Sequence, residues 1–255
     1  MTGIVTLPLV PLRISNSEQS EMTSQLLFGE HVEILDTREP WLLVRNCNDN
    51  FCGWVDRKML TLLTKQKVLV EITPHCVSVP LLTCRNSENQ NIFIPGGSLL
   101  PRFSSGKSQI GNEVFSVDSK LEYFSETVDG DKLCELAKQY LNAPQLSGGK
   151  TIMGIDCSGL VQVVFSIGGI LLPREVALQV EKGEVIDFLS EVKAGDLAFF
   201  ENTEGKIVHV GIMLNSHQVI HAFGHVKIEA IDYQGIISSQ SGEYTHKLRV
   251  IKRLL

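Results

Sequence analysis

The hydrophobic pattern of this chain changes its period near Asp129, and this change restricts the fold more than any other feature. Before Asp129, short apolar stretches alternate with Asn, Ser, Gly and Pro turns, which is typical of a chain built from short strands. After it, apolar residues recur at i, i+3, i+4 and i+7 and predict an amphipathic helix. These residues are Leu133, Leu136, Ala137 and Tyr140.

The same pattern divides the 255 residues into three stretches. These are a small all-β domain over 1–64, a second β-rich segment over 65–124 with a strand at 68–72, and an α+β domain over 125–255. In the last stretch the strands follow one another between short turns, so we expect helices packed on an antiparallel sheet. The sequence leaves open whether the middle segment folds independently.

Charge and apolar patterning exclude several kinds of partner. The chain has 23 basic and 29 acidic residues, a net charge of -6 and no basic run, so we expect no nucleic acid partner. No apolar run approaches the roughly 20 residues of a membrane-spanning helix. No Lys or Arg precedes the first apolar stretch, so no secretory signal is visible and we expect a cytoplasmic protein with reduced thiols. The oligomeric state is not predicted.

Cys157 lies where a glycine-containing loop gives way to an apolar segment over 160–167. Three valines in this segment leave helix and strand as competing interpretations, and we predict a helix. The free N–H groups and positive dipole end at the start of such a helix would favour the thiolate of Cys157. The alternative is an inert buried cysteine, the common fate of this residue.

Two histidines lie on neighbouring predicted strands. We place the valines on either side of His209 on the core face, so His209 points to the opposite face. A hairpin that pairs Leu214 with Gln218 places His221 two positions out of register with His209. Because that offset is even, both rings are predicted on one face as diagonal neighbours, within hydrogen-bonding reach.

Cys157, His209 and His221 together supply a nucleophile, a general base and an orienting group, the set that acyl transfer needs. In this interpretation Cys157 attacks, His209 takes and later returns the proton, and His221 orients His209. One alternative is a pair of histidines hydrogen-bonded within the sheet. A metal site lacks close ligand spacing and a nearby carboxylate. We therefore expect neither a metal nor a coenzyme.

Five motifs, in this order, resemble the NlpC-type cell-wall peptidases of bacteria, which are papain-like cysteine enzymes. The motifs are Asp156 to Gln162, Leu172 to Arg174, Gly195 to Phe200, His209 to Ile212 and Ile220 to Ala222. The resemblance covers residues 130–255 and implies a papain-like catalytic domain. It also implies hydrolysis of γ-D-glutamyl to diamino acid bonds in peptidoglycan peptides, with Cys157, His209 and His221 at the catalytic positions.

The first domain resembles the bacterial SH3-like barrels that are fused to such peptidases. The matching motifs are Val10 to Arg13, Ser20 to Met22, Gln25 to Glu30 and Gly53 to Asp56. The two domains together resemble the muropeptide-recycling subgroup, in which the SH3-like domain narrows the cleft to peptides with a free N-terminal L-Ala. That resemblance implies an ammonium site of two acids and an aromatic residue. The matching positions are Glu21, Phe51 or Trp54, and Glu175.

Several of these positions have plainer alternatives. Glu21 is also explained as a solvated loop acid, and Trp54 as barrel core. Asp156 and Ser158 bind the substrate or only cap the helix that follows. Gln145 stands where the family carries a Tyr, and we hypothesise that its amide donates a hydrogen bond to the oxyanion together with the backbone N–H of Cys157.

The sequence thus favours a cytoplasmic cysteine peptidase that trims imported cell-wall peptides and releases L-Ala-γ-D-Glu through a thioester. Peptidoglycan-derived peptides are its expected partners. Two alternatives stay open: a secreted autolysin acting on the intact wall, and a muropeptide-binding protein that has lost activity. Glu175 and Phe51 stand where the family more often has Asp and Tyr, so the strictness for L-Ala is not predicted, nor is the diamino acid.

Overall fold

The computed structural model describes residues 1–63, 75–117 and 128–255. The chain forms two compact units, Met1–Tyr123 with Ser147–Ile152, and Phe124–Leu146 with Met153–Leu255. The domain boundaries expected after residues 64 and 124, and the strand expected at 68–72, lie outside the described residues. The division into three domains therefore stays a prediction.

The first unit begins with an antiparallel sheet of seven strands. They are β1 (Thr2–Ile4), β2 (Leu9–Arg13), β3 (Met22–Leu27), β4 (His31–Arg38), β5 (Trp41–Asn46), β6 (Cys52–Asp56) and β7 (Thr61–Leu63). Their order is β3-β2-β6-β5-β4-β1-β7. Alternate residues of β2 and β5 are buried, Val10 and Leu12 on one and Leu42 and Val44 on the other, because successive strand side chains point to opposite faces.

The second β-rich stretch adds six short strands to the same unit. They are β8 (His75–Cys76), β9 (Leu81–Arg85), β10 (Asn91–Pro95), β11 (Leu99–Leu100), β12 (Lys107–Ile110) and β13 (Glu113–Val117). Four form a sheet in the order β10-β9-β13-β12, and β11 pairs with β8. Phe28 of the first stretch packs edge-on against Phe115, with ring centres 4.9 Å apart, so both stretches share one core.

The segment Ser147–Ile152 belongs to this first unit and contains β14 (Lys150–Thr151). The Lys150 ammonium lies 3.4 Å from Glu30 Oε1, and the two side chains are only 4% and 6% exposed. The backbone N–H of Lys150 donates to Gln25 Oε1 at 2.8 Å, and Glu30 Oε2 accepts from the Leu27 N–H at 2.8 Å. The segment is thus held by a buried ion pair whose other polar atoms are also bonded.

We expect Lys150→Met to destabilise the first unit by about 3–5 kcal/mol, because it leaves the Glu30 carboxylate buried without its cation. Arg57→Met, which breaks the exposed Arg57–Glu39 pair, should cost less than about 1 kcal/mol. Urea titrations followed by tryptophan fluorescence measure this, because both tryptophans of the chain lie in the first unit. Equal losses in the two variants would contradict the prediction.

The second unit contains the helices and another antiparallel sheet. Its elements are α1 (Gly130–Lys138), β15 (Gly154–Ile155), α2 (Cys157–Ile167), α3 (Val176–Gln179), β16 (Glu184–Ile186), β17 (Leu197–Glu201), β18 (Ile207–Asn215), β19 (Gln218–Phe223), β20 (His225–Ile231), β21 (Gly235–Ile237) and β22 (Tyr244–Arg253). The strand order is β16-β22-β17-β18-β19-β20-β21. Because the long strand β22 also pairs with β21, six strands close into a ring.

Both predicted helices of this unit are confirmed. The Asp129 side chain caps α1 by accepting the Lys132 N–H at 2.9 Å, and the predicted apolar residues that lie on α1 are buried. The helix ends at Lys138, so Tyr140, also predicted on this face, is buried in the turn that follows. The segment that helix and strand competed for is α2, which packs on β18 and β19 and is buried on almost every side. The three valines of α2 are all buried, which explains why the segment has no polar face in its sequence pattern. No helix among the described residues is long and apolar enough to cross a bilayer.

Candidate active site

Cys157 is the first residue of α2, as the sequence predicts. Burial raises the pKa of its thiol to about 11, with the Asp156 carboxylate adding to the shift and the backbone N–H groups of Val210 and Ser158 opposing it. The prediction of a lowered thiol pKa at the helix N-terminus is therefore wrong. The interaction with Val210 places the sulfur beside β18, one residue from His209.

A buried hydrogen bond joins the two predicted histidines. Nε2 of His209 lies 2.9 Å from Nδ1 of His221, and the two residues are 5% and 0% exposed. The prediction that both rings share one face of the sheet is confirmed. Phe200 on β17 is paired with His209 and its ring centre lies 5.7 Å away, so this face of the strand is also packed.

The hairpin differs from the prediction at two positions. Asn215 rather than Leu214 faces Gln218, because a bulge interrupts the ladder near the turn. Val208 is 48% exposed rather than part of the core, because a second bulge leaves it outside the pairing with β17. Between these bulges the ladder keeps the predicted register, and the offset of the two histidines is preserved.

Gly211 makes room for this pair. A Cβ added at Gly211 would lie 2.5 Å from Val219 Cγ2 and 3.1 Å from His221 Cβ. The first distance is shorter than real carbon contacts allow, so a larger residue would push β18 and β19 apart at the hydrogen bond. The glycine two positions after His209 therefore has a packing reason.

Glu229 on β20 continues the chain of contacts and was not found from the sequence. Its Oε2 lies 3.0 Å from His221 Nε2, while its Oε1 accepts from the Ser239 N–H at 3.0 Å and lies 3.1 Å from the Lys227 ammonium. Burial opposes ionisation of Glu229, but the hydrogen bonds from Ser239, Lys227 and His221 prevail and lower its pKa. Burial lowers the pKa of His221 to about 4, so a neutral ring faces a carboxylate.

His246 on β22 is a third histidine at this place, also missed from the sequence. Its ring stacks on His209, with centres 4.1 Å apart and planes 26° apart, and meets Phe223 edge-on. Ligand nitrogens of His209, His221 and His246 lie within 4.8 Å of one another. The lone pairs of an imidazole lie in the plane of its ring, so the stacked rings of His209 and His246 direct their lone pairs side by side rather than toward one point. In addition, His209 and His221 each use one nitrogen to bond the other. These three rings do not present a convergent metal site.

Asp156 and Ser158 flank the thiol and share a buried arginine. Arg174 donates to Asp156 Oδ2 at 2.6 Å and to Ser158 Oγ at 2.7 Å. Asp156 also accepts the Gly159 N–H at 2.7 Å, so it caps α2, as one alternative predicted. Gln179 donates to the backbone carbonyl of Ser158 at 3.1 Å. Arg174 was quoted in a motif but received no role from the sequence.

Gln145 and Glu175 also belong to the second unit, and Gln145 forms a β-bridge with Ile155, two residues before Cys157. The Gln145 side-chain carbonyl accepts the Gly224 N–H at 2.7 Å, which leaves its NH2 group as the part that can donate. Glu175 is exposed immediately before α3, and its carboxylate does not cap that helix. Their expected roles at an oxyanion and an ammonium group stay predictions.

The three remaining predicted residues belong to the first unit. Glu21 is exposed, and Phe51 is half-buried and packs against the core of the first sheet. Trp54 is buried on β6, with the Arg38 guanidinium 5.2 Å from the centre of its ring. A core position for Trp54 agrees with its plainer alternative, and a role of these residues in binding stays a prediction.

Comparison with known families gives two matches. Residues 143–250 match the NlpC/P60 family, and residues 12–60 match the bacterial dipeptidyl-peptidase Sh3 domain. The chain contains an NlpC/P60 domain. The resemblance to NlpC-type peptidases with an N-terminal SH3-like domain is therefore confirmed.

Relatives with both regions bear a specific name. A gamma-D-glutamyl-L-lysine dipeptidyl-peptidase of Bacillus cereus is 24% identical over 88% of this chain and 74% of its own length. A protein of the same name in Bacillus subtilis is 25% identical over 82% and 75%. Murein DD-endopeptidase MepS/Murein LD-carboxypeptidase of Escherichia coli is 34% identical over 44% of this chain and 62% of its own length.

Solved structures share the fold. An NlpC/P60 family protein from Bacillus cereus matches with a TM-score of 0.86 at 17% identity, over 100% of both chains. An NlpC/P60 endopeptidase from Photobacterium damselae matches with a TM-score of 0.72 at 18% identity, over 98% of this chain and 70% of that one. At these identities the likeness concerns the fold alone.

The NlpC/P60 domain holds two buried histidines, His209 and His221, and one half-buried histidine, His246, and the lowered pKa values of all three make its stability depend on pH. Burial lowers the pKa of His209 well below 6.5, that of His221 to about 4, and that of His246 as well. In the unfolded chain the same rings bind protons near pH 6.5. The unfolded state therefore holds more protons below pH 6.5, and the free energy of unfolding falls as the pH drops toward 4.

We expect His246→Phe, which keeps a stacking ring, to reduce this slope by up to about 1.4 kcal/mol per pH unit. His217→Asn changes an exposed histidine outside the cluster and should leave the slope unchanged. Urea titrations at several pH values, followed by far-UV circular dichroism, measure the slope. An identical slope in wild type and His246→Phe would contradict the prediction.

Proposed function

We propose that this protein is a cysteine peptidase that hydrolyses the γ-D-glutamyl to diamino acid bond of peptidoglycan-derived peptides with a free N-terminal L-Ala. The carrying observation is the buried His209–His221 hydrogen bond on the strand that Cys157 contacts through Val210. This arrangement supports assigning a nucleophile, a base and an orienting group to one unit. The names of the two Bacillus relatives, which match 88% and 82% of this chain, support the choice of bond.

The reaction proceeds in two halves. As the Cys157 sulfur bonds to the γ-carbonyl carbon, its proton passes to His209 and the carbonyl oxygen takes the negative charge. When the C–N bond breaks, His209 returns the proton to the departing amine and a thioester remains. Water then attacks the thioester and gives a proton to His209, and L-Ala-γ-D-Glu leaves with its new carboxyl group while the sulfur regains a proton.

The resting pair is uncharged. Burial raises the pKa of the Cys157 thiol to about 11 and lowers that of His209 well below its usual value, so neither group carries charge near neutral pH. Two isolated buried charges would be costly without further partners. Proton transfer therefore accompanies the attack on a bound substrate rather than preceding it.

Substrate contacts follow from the groups around the thiol. We assign Ser158, held by Arg174, to the substrate's carboxylate or backbone, and Asp156, held by the same arginine, to a backbone N–H of the substrate. Glu175 offers an exposed carboxylate in the same unit for the ammonium group of L-Ala. The contributions of Glu21, Phe51 and Trp54 to that ammonium site belong to the same proposal. Recycling of imported peptides in the cytoplasm also remains a proposal.

We expect the protein to convert L-Ala-γ-D-Glu-diamino acid peptides to L-Ala-γ-D-Glu and the free diamino acid or its peptide, as read by mass spectrometry. Blocking the N-terminal amine should lower kcat/KM strongly, because a carboxylate site then loses its cation. Cys157→Ala should abolish turnover, whereas Cys52→Ala removes an exposed thiol and should not change it.

Other outcomes select other functions. Release of fragments from intact sacculi without cleavage of free tripeptide would indicate an autolysin. Peptide binding by wild type without turnover would indicate a binding protein. Equal turnover by Cys157→Ala and wild type would overturn the assignment of the nucleophile.

A substitution of Gln145 tests whether its side chain only accepts the Gly224 N–H or also donates a hydrogen bond to the oxyanion. Gln145→Glu keeps an acceptor for the Gly224 N–H but lacks the NH2 group, so we expect kcat to fall about 10²–10³-fold if the amide donates to the oxyanion. Gln240→Ala changes an exposed glutamine and should have no effect. Steady-state kinetics on the tripeptide decide the matter, and wild-type turnover by Gln145→Glu would refute the donor role.

A further inference from the structure

Glu229 lies at the end of the histidine pair, and three donors restrict it. Glu229 is 2% exposed. Its Oε1 lies 3.1 Å from the Lys227 ammonium and accepts hydrogen bonds from the N–H and the hydroxyl of Ser239 at 3.0 and 3.2 Å. Only Oε2 faces His221, at 3.0 Å from Nε2. The carboxylate is therefore fixed in position, with one oxygen dedicated to the ring.

An ionised carboxylate can only accept hydrogen bonds. The hydrogen of the contact with Oε2 must consequently be on Nε2 of His221. A neutral imidazole carries one ring hydrogen, so Nδ1 of His221 is left as an acceptor. The position of the proton on His221 is thus determined by its neighbour on β20.

The same reasoning extends one ring further. Because Nδ1 of His221 can only accept, the 2.9 Å contact requires that Nε2 of His209 donates. His209 is also neutral, so its Nδ1 is the nitrogen without a hydrogen. The lone pair available to receive the thiol proton is then on Nδ1 of His209.

We propose that Glu229 is a positioning residue that fixes the tautomers of His221 and His209 and so selects Nδ1 of His209 as the base. The inference rests on the proposed function only in taking His209 as the base. Glu229 acts through two rings and needs no contact with the substrate.

Glu229→Gln tests this assignment because its amide has a determined orientation. Lys227 and Ser239 donate toward the Oε1 position, so the amide oxygen takes that place and the NH2 group turns to His221. Nε2 of His221 must then accept, which moves its hydrogen to Nδ1. Because Nδ1 of His221 then donates, Nε2 of His209 must accept, and the hydrogen of His209 moves to its Nδ1. The lone pair that would receive the thiol proton is thereby lost.

The tautomers are measured in the resting protein by long-range ¹H–¹⁵N NMR of the histidine rings. We expect both His209 and His221 as Nε2–H tautomers in wild type and as Nδ1–H tautomers in Glu229→Gln. Glu243→Gln, an exposed neighbour, should match wild type. An Nδ1–H tautomer of His221 in wild type, or an unchanged one in a folded Glu229→Gln, would overturn the proposal.

Kinetics on the tripeptide supply the second readout. A wrong tautomer in a serine peptidase triad costs about 10⁴-fold in kcat, and we expect Glu229→Gln to lower kcat about 10²–10⁴-fold with KM nearly unchanged. A rise in KM alone would contradict a positioning role. The NMR result needs no substrate, so an inactive wild type with the expected tautomers would reject the peptidase function while retaining the role of Glu229. A Glu229→Gln protein that fails to fold leaves the wild-type tautomers as the decisive measurement.

Discussion

The hydrogen bond between His209 and His221 depends on the register of two antiparallel strands. It forms because the residues are diagonal neighbours, with the bulges of β18 kept to either side and a glycine opposite His221. A bond between two buried rings stabilises only if the other nitrogens are also satisfied, since a buried unpaired nitrogen costs about 1–3 kcal/mol. Glu229 meets that requirement for His221. The contacts thus run across three strands from the strand beside the thiol.

Burial of uncharged groups has a direct chemical consequence. A thiol with a raised pKa and an imidazole with a lowered one exchange a proton unfavourably in the free protein. In the proposed reaction the negative charge therefore moves onto the substrate oxygen while His209 takes the proton, and hydrogen-bond donors that meet this oxygen stabilise it. This links the packing of the histidines to the need for an oxyanion donor.

Local patterns carried the predictions that hold. Apolar spacing identified α1, and strand alternation identified the face shared by His209 and His221, because each depends on residues close in the chain. For α2 the pattern left helix and strand competing, and the choice of a helix was correct. Motif order identified the family, since five short motifs together are far more specific than any one. The two bulges were not predicted, because a bulge depends on how the partner strand pairs. The bulge opposite β17 places Val208 outside the core. The raised pKa of the Cys157 thiol was not predicted, because it results from burial, which is a property of the folded unit.

Glu229 and His246 were both missed from the sequence, but only Glu229 could have been inferred from it. Glu229 carries a usable signal: β20 pairs His221 with Lys227, so a residue two positions later lies on the same face as His221 and within diagonal reach. An acid between the apolar residues Ile228 and Ala230 of a strand, if it is buried, also requires a partner. His246 has no such signal, because β22 reaches the cluster only when the six strands close into a ring. A group that orients the base can therefore be inferred from hairpin register, whereas one that packs on the base needs the closed sheet.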